Sequence, residues 1–238
     1  MRADEPDTGY REKFPLFPLH TVLLPGVHLP LHIFEPRYRQ LIADLISGAV
    51  PDREFGVLAI KNALTNDVDG AEQVHEIGCT ALLREAEPLD GGRFDVVTTG
   101  HRRFRLHELS SIEAPYLVGT VEWLPDLPSL ASAGTTTVTL AAAARAAHER
   151  YCEAAWQDGD WQAPPVETEL SHLGYLMAAD CLLPLADRQA LLAERDALHR
   201  LRLVAQLLTR EAGFLGALRA VPAPHSGLGE LGTAATLN

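Results

Sequence analysis

The pattern of apolar and polar positions changes character once along the chain, and the stretch from Phe14 to Ile42 sets the first part of it. It reads FPLFPLHTVLLPGVHLPLHIFEPRYRQLI. Apolar residues fill most of it, five prolines punctuate it, and no charge occurs between Lys13 and Glu35. Proline lacks a backbone N–H and fixes φ, so one continuous helix is excluded. Short extended pieces are predicted instead, broken at Pro18, Pro25-Gly26 and Pro30. Pro25-Gly26 suits the central positions of a type II turn, where glycine supplies the positive φ. In the segment Leu29 to Phe34, Leu29, Leu31 and Ile33 alternate with Pro30, His32 and Phe34, which predicts a core strand. The period then changes. Pro36 suits the first position of a helix, and Tyr38, Leu41, Ile42 and Leu45 fall on one helical face. Gly48 is the expected stop.

Period-2 signals dominate from there to Trp123. Phe55 to Ile60 reads as a buried strand, and Asn62 to Gly70 as a loop. A strand is predicted over about Val74 to Glu85, with Gly78 at a bulge or tight bend. Asp90-Gly91-Gly92 is a hairpin signal. Arg93 to Thr98 is the next strand, ended by Gly100, and Arg103 to His107 another. Tyr116 to Trp123 alternates as a last strand. Many short strands with regular turns indicate a barrel or sandwich.

The β signals end at LPDLPSLASAG, Leu124 to Gly134, which reads as a linker. Beyond it the period is helical. Leu140, Ala144, Ala147, Tyr151 and Ala155 form one stripe, with Asp158-Gly159-Asp160 as the end of that helix. Pro164-Pro165 opens a second helix reaching Ala178. Asp187 and Asp196 are the expected caps of a third and a fourth. The fourth carries two apolar stripes, Leu198, Leu201, Val204, Ala205, Leu208 and, opposite, Leu203, Leu207, Phe214, Leu218. A helix apolar on two faces is buried on two sides. The second stripe is expected against the β region, or else against another chain. Residues 1–12 and the tail from 220 are polar or rich in small residues and are expected to be loose.

The prolines, glycine and charged pair of the first stretch also carry a family likeness. Phe14-Pro15-Leu16-Phe17-Pro18-Leu19, Leu24-Pro25-Gly26, Leu29 to Tyr38 (LPLHIFEPRY) and Arg103-Phe104 resemble the substrate-binding, N-terminal domain of Lon-type proteases. The likeness runs more loosely to about Glu211. It implies an α+β fold: a PUA-like β-barrel over 13–124 with one helix at 36–47, a linker at 125–134, and a helical bundle over 135–219. It also implies binding of client polypeptides without catalysis, as a stand-alone domain.

Composition narrows the partners. A net charge of −12 over 238 residues disfavours nucleic acid and anionic membranes, which need basic patches. Three cysteines far apart, with no CxxC pair, indicate no disulfide framework and a reducing compartment. With no apolar leader and no long apolar run, a cytoplasmic protein is expected.

Catalytic chemistry finds little support. A P-loop needs G-x-x-x-x-G-K-[ST], and neither of the two lysines, Lys13 and Lys61, follows such a loop. Neither has the context of a serine–lysine dyad, and no G-x-S-x-G elbow occurs. His28 and His32 would share a face of a strand but lie about 13 Å apart, too far for one ion. His75-Glu76 lacks the second histidine of a zinc motif. His148 lies one turn from Cys152, but a buried, inert cysteine is the simpler reading. Glu35 is expected to cap or pair at the helix start rather than form a carboxylate pair with Asp44. The basic run His101-Arg102-Arg103 with Arg105 is expected to pair internally with the excess carboxylates. No catalytic, cofactor or metal residue is therefore assigned.

Client recognition is the leading expectation, through an exposed apolar patch on the barrel or in the cleft beside the helices. An adaptor for one folded partner, a protease among the possibilities, is the second, and an enzyme of unrecognised small-molecule chemistry the third. Either a monomer or a homodimer is compatible with the pattern. The candidate contacts are Phe34, Arg37 and Tyr38 at the strand-to-helix junction, Arg102 and Arg103 in the basic run, and Trp123 at the end of the last strand.

Overall fold

The structure, a computed structural model, describes residues 10–64, 67–128, 134–157 and 160–218. Six strands and a helix come first: β1 (Arg11–Leu19), β2 (His28–Ile33), α1 (Pro36–Ser47), β3 (Glu54–Ala59), β4 (Ile77–Leu89), β5 (Arg93–Ser110) and β6 (Leu117–Trp123). Four helices follow: α2 (Thr135–Ala155), α3 (Leu170–Ala179), α4 (Leu185–Ala193) and α5 (Ala197–Leu218). The architecture is α+β, as the sequence pattern and the resemblance implied.

The sheet order is β2-β5-β4-β3-β1-β6, and β5 also pairs with β6. Strands β5, β4, β3, β1 and β6 thus close into a barrel, and β2 is added outside it on the first half of β5. β5 runs unbroken for 18 residues, where the pattern predicted a break at Gly100. Gly100 is needed for a different reason. A Cβ there would lie 2.1 Å from the carbonyl oxygen of Leu24. The Gly100 N–H donates to Val27 and its carbonyl accepts from Gly26, which fastens the Pro25-Gly26 turn to the sheet. That turn has the predicted form, with Gly26 at φ 80° and the Val27 N–H donating to the Leu24 carbonyl.

Alternation sorts the barrel's side chains into two cores. Leu16, Leu58, Phe104, Leu106, Leu117 and Val121 fill the barrel. Phe17, Phe55, Val57 and Ala59 point outward into a second core shared with α1 and the helical bundle. Every residue of β3 is buried because both of its faces are covered. Helix α1 begins at Pro36, buries Tyr38, Leu41, Ile42 and Leu45, and ends at Gly48 in the left-handed conformation, all as predicted. Glu35 makes no side-chain cap and pairs with Arg37 at 2.9 Å.

The helical part departs from the prediction in three ways. α3 begins at Leu170 rather than at Pro164-Pro165, and Arg145 holds that preceding segment through the carbonyls of Pro164 and Pro165 at 2.5 and 2.6 Å. Asp187 lies inside the first turn of α4, where its carboxylate takes Arg210. The second stripe of α5 does not settle on the barrel: α5 packs chiefly against α2, with α3 and α4 beside it. Leu207 is buried there and Phe214 is 54% exposed. Asp196 does cap α5, its Oδ1 accepting from Leu198 and His199. The predicted ending of α2 at Asp158-Gly159, and the contacts of Leu218, lie outside the described residues.

Candidate functional site

A groove of 1520 Å³ runs between β2 and the helical part. One wall is the turn and strand from His20 to His32, and the other is formed by residues 162–165 and by the stretch from Leu176 to Arg188. Its position follows from the topology. β2 is the terminal strand, so one of its edges has no strand partner among the described residues. Pro30 fits that place, because a proline in a sheet is tolerated where its missing N–H is not needed by the ladder.

β2 is therefore not the core strand that its alternation predicted. Only Ile33 is fully buried; Leu29 and Leu31 are half-buried and line the groove. Facing them are Leu176, Pro184 and Leu185, with Leu182 45% exposed. The floor is apolar and the rim is charged. Glu85, Glu87, Asp95 and Asp180 supply the carboxylates, and Arg188 and the histidines the basic groups. His32 Nδ1 lies 2.6 Å from Asp95 Oδ1, and His28 Nδ1 lies 3.3 Å from the Thr99 hydroxyl.

The six sequence candidates fall into two places. Phe34, 62% exposed, follows β2 and lies near His32, the ring centroids 6.2 Å apart. Arg37 is beside it, paired with Glu35 and Asp67. Tyr38 is 3% exposed, its ring stacked on Phe17 with centroids 3.7 Å apart. Burial pushes its hydroxyl up to about 12. Arg102, Arg103 and Trp123 meet at a smaller pocket of 380 Å³ on the other side of the Pro25 turn. The Arg102 guanidinium lies 3.8 Å above the Trp123 ring and pairs with Glu54, as does His101. Arg103 is 5% exposed and donates to the carbonyls of Leu192 and Glu194 and to Asp126. His101, Arg102 and Arg103 thus pair internally, as expected of this part of the basic run.

Sequence reasoning missed the helical wall of the groove and the role of Asp126. Within the predicted linker, Asp126 receives two buried arginines, Arg103 and Arg200. Arg200 also donates to the carbonyls of Glu194 and Ser171 and lies 4.2 Å from the Tyr175 ring centre. This cluster binds the barrel, the linker and the helical bundle together at one point.

Nucleophilic catalysis at Cys152 does not fit the geometry. Its sulfur is fully buried and 3.4 Å from His148 Nε2. Asp180 reaches that same nitrogen, at 3.6 Å, whereas a catalytic acid orients the imidazole from the other one.

The comparisons with known proteins agree with this architecture. Residues 13–210 match the family model described as the ATP-dependent protease La (LON) substrate-binding domain. The chain is 29% identical over 211 residues to Lon protease 2 of Myxococcus xanthus, covering 84% of this chain and 24% of that protein. It is 29% identical over 119 residues to protein cereblon of Danio rerio, covering 48% of this chain and 26% of that protein. The chain thus spans about a quarter of the length of these curated relatives. A solved Lon N-terminal domain protein from Xanthomonas campestris superposes with a TM-score of 0.56 at 26% identity, covering 89% of this chain and 99% of that one. The N-terminal domain of the Mycobacterium avium complex Lon protease gives 0.58 at 18% identity, covering 83% and 98%. Among the described residues no helix is long and apolar enough to cross a membrane. With the family model matching most of its length, the chain belongs to the Lon substrate-binding domain family.

Proposed function

We propose that this protein captures exposed apolar segments of unfolded or otherwise specific client polypeptides in the groove beside β2, without catalysis. The observation that carries the reading is a largely apolar groove of 1520 Å³ lined by β2, whose outer edge has no strand partner among the described residues, and by the neighbouring strands and helices. An extended segment there gains main-chain hydrogen bonds from the edge and apolar burial from the floor. Neither demands one sequence, because strand addition reads backbone and apolar burial is non-directional. The carboxylate rim favours apolar segments flanked by Lys or Arg. Phe34, whose ring lies near His32, and Arg37 would flank the bound segment, and the Arg102–Trp123 stack would offer a second, smaller contact.

The test is suppression of aggregation of a chemically unfolded model protein, followed by light scattering, with Leu182→Asp as the probe. Burial of a leucine is worth about 1.5–3 kcal/mol, so losing that anchor weakens capture by about tenfold or more. Equal capture by wild type and Leu182→Asp would remove the groove from the account. Capture of a single folded partner, with no effect on unfolded clients, would favour an adaptor instead.

A further inference from the structure

Three metal-ligating side chains converge at a point behind the helical wall of the groove. His148 and Cys152 sit one turn apart on α2, and Cys181 follows α3. The ligand atoms of the three all lie within 4.8 Å of one another. All three residues are essentially without solvent contact, and both cysteines are free thiols. The Asp180 carboxylate lies 3.6 Å from Nε2 of His148, the nitrogen that also faces Cys152 at 3.4 Å.

The backbone around these groups is fixed. Trp156 donates its indole N–H to the Asp180 carbonyl, Tyr151 accepts from the Leu182 N–H, and Arg188 donates to the Cys181 carbonyl. Two sulfurs and one nitrogen therefore gather from α2 and the turn after α3, which are held together by these bonds.

We propose that His148, Cys152 and Cys181 supply three ligands of a tetrahedral site for a thiophilic divalent cation, Zn²⁺ in the first instance, with the fourth position open. Zinc bonds of about 2.3 Å to sulfur and 2.0–2.1 Å to nitrogen put tetrahedral S and N ligands about 3.5 Å apart. The observed 3.4 Å matches that spacing. Thiolate and imidazole together select zinc over the hard cations. Binding displaces the thiol protons of Cys152 and Cys181 to solvent and uses neutral imidazole through Nε2. Because Asp180 and Leu182 line the groove, the ion would tie that wall to α2.

The full-length chain, reduced and freed of metal, is titrated with Co²⁺ and then with Zn²⁺. One equivalent of Co²⁺ is expected to develop a thiolate charge-transfer band and the intense visible bands of tetrahedral cobalt, and Zn²⁺ to bleach them. Cys152→Ser and Cys181→Ser should lose the spectrum, and Cys79→Ser, altered elsewhere in the core, should keep it. If the serine variants do not fold, zinc-edge X-ray absorption on the wild type decides, two sulfur scatterers being the expected result. Absence of a tetrahedral cobalt spectrum in reduced protein, or a zinc shell without sulfur, overturns the proposal. So does a Cys152–Cys181 disulfide in a chain whose reduced form takes up no metal.

Discussion

At the scale of single residues, two positions carry more of the fold than their local sequence suggests. Asp126 is shared by Arg103 and Arg200, whose side chains are 4% and 0% exposed. Asp126→Asn leaves both cations without their counter-charge, and breaking a buried pair in this way costs about 3–5 kcal/mol. The expected result is a matching fall in unfolding free energy by urea titration. Nothing in the local sequence announces this. A lone aspartate among prolines reads as a solvated linker residue, and its partners lie 23 positions before it and 74 after it. Gly100 was visible as a glycine in a strand, but the break it suggested does not occur. The chain stays extended, and the glycine admits the Leu24 carbonyl. Gly100→Ala must displace that backbone, so a loss of about 1–3 kcal/mol is expected in the same titration. An unchanged midpoint would show that the turn can move aside.

At the scale of elements, the local pattern was most reliable where one face of an element decides its place. α1 was legible down to its proline start, its apolar face and its glycine stop, because all three signals are local. β2 was legible as a strand, but its position at the sheet edge was not. Alternation says which side chains share a face and not how well that face is covered. The consequence is testable. Leu31→Asp falls on a half-buried groove position, so it should lower client capture much more than it lowers Tm. α5 shows the opposite limit. Its two stripes were plain, yet it packs on helices rather than on the sheet. Leu207→Arg then strikes the bundle interior and should lower Tm by roughly 5 °C or more, given about 2–4 °C per kcal/mol in a chain of this size. Light scattering showing a stable, folded monomer released from a dimer by Leu207→Arg would contradict that placement.

At the scale of the whole molecule, barrel and helices are built as one unit around the groove. They share an apolar core, the Gln189 amide donates to the Ile77 carbonyl across the junction, and Asp126 joins Arg103 of β5 to Arg200 of α5. A single calorimetric transition is therefore expected of the intact chain. Sequence reasoning offered the barrel surface or the cleft beside the helices without the lining residues, because the two walls of the groove are brought together by the fold from segments more than a hundred residues apart. The family likeness pointed to client binding without giving its location. Amide hydrogen exchange with a reduced, carboxymethylated model protein at saturation tests that location most directly. The groove account predicts slowed exchange at His28 to Phe34 and at Leu182 to Leu185, with little change in the far strands of the barrel. Saturable binding that leaves those amides unchanged, with protection elsewhere, would contradict it.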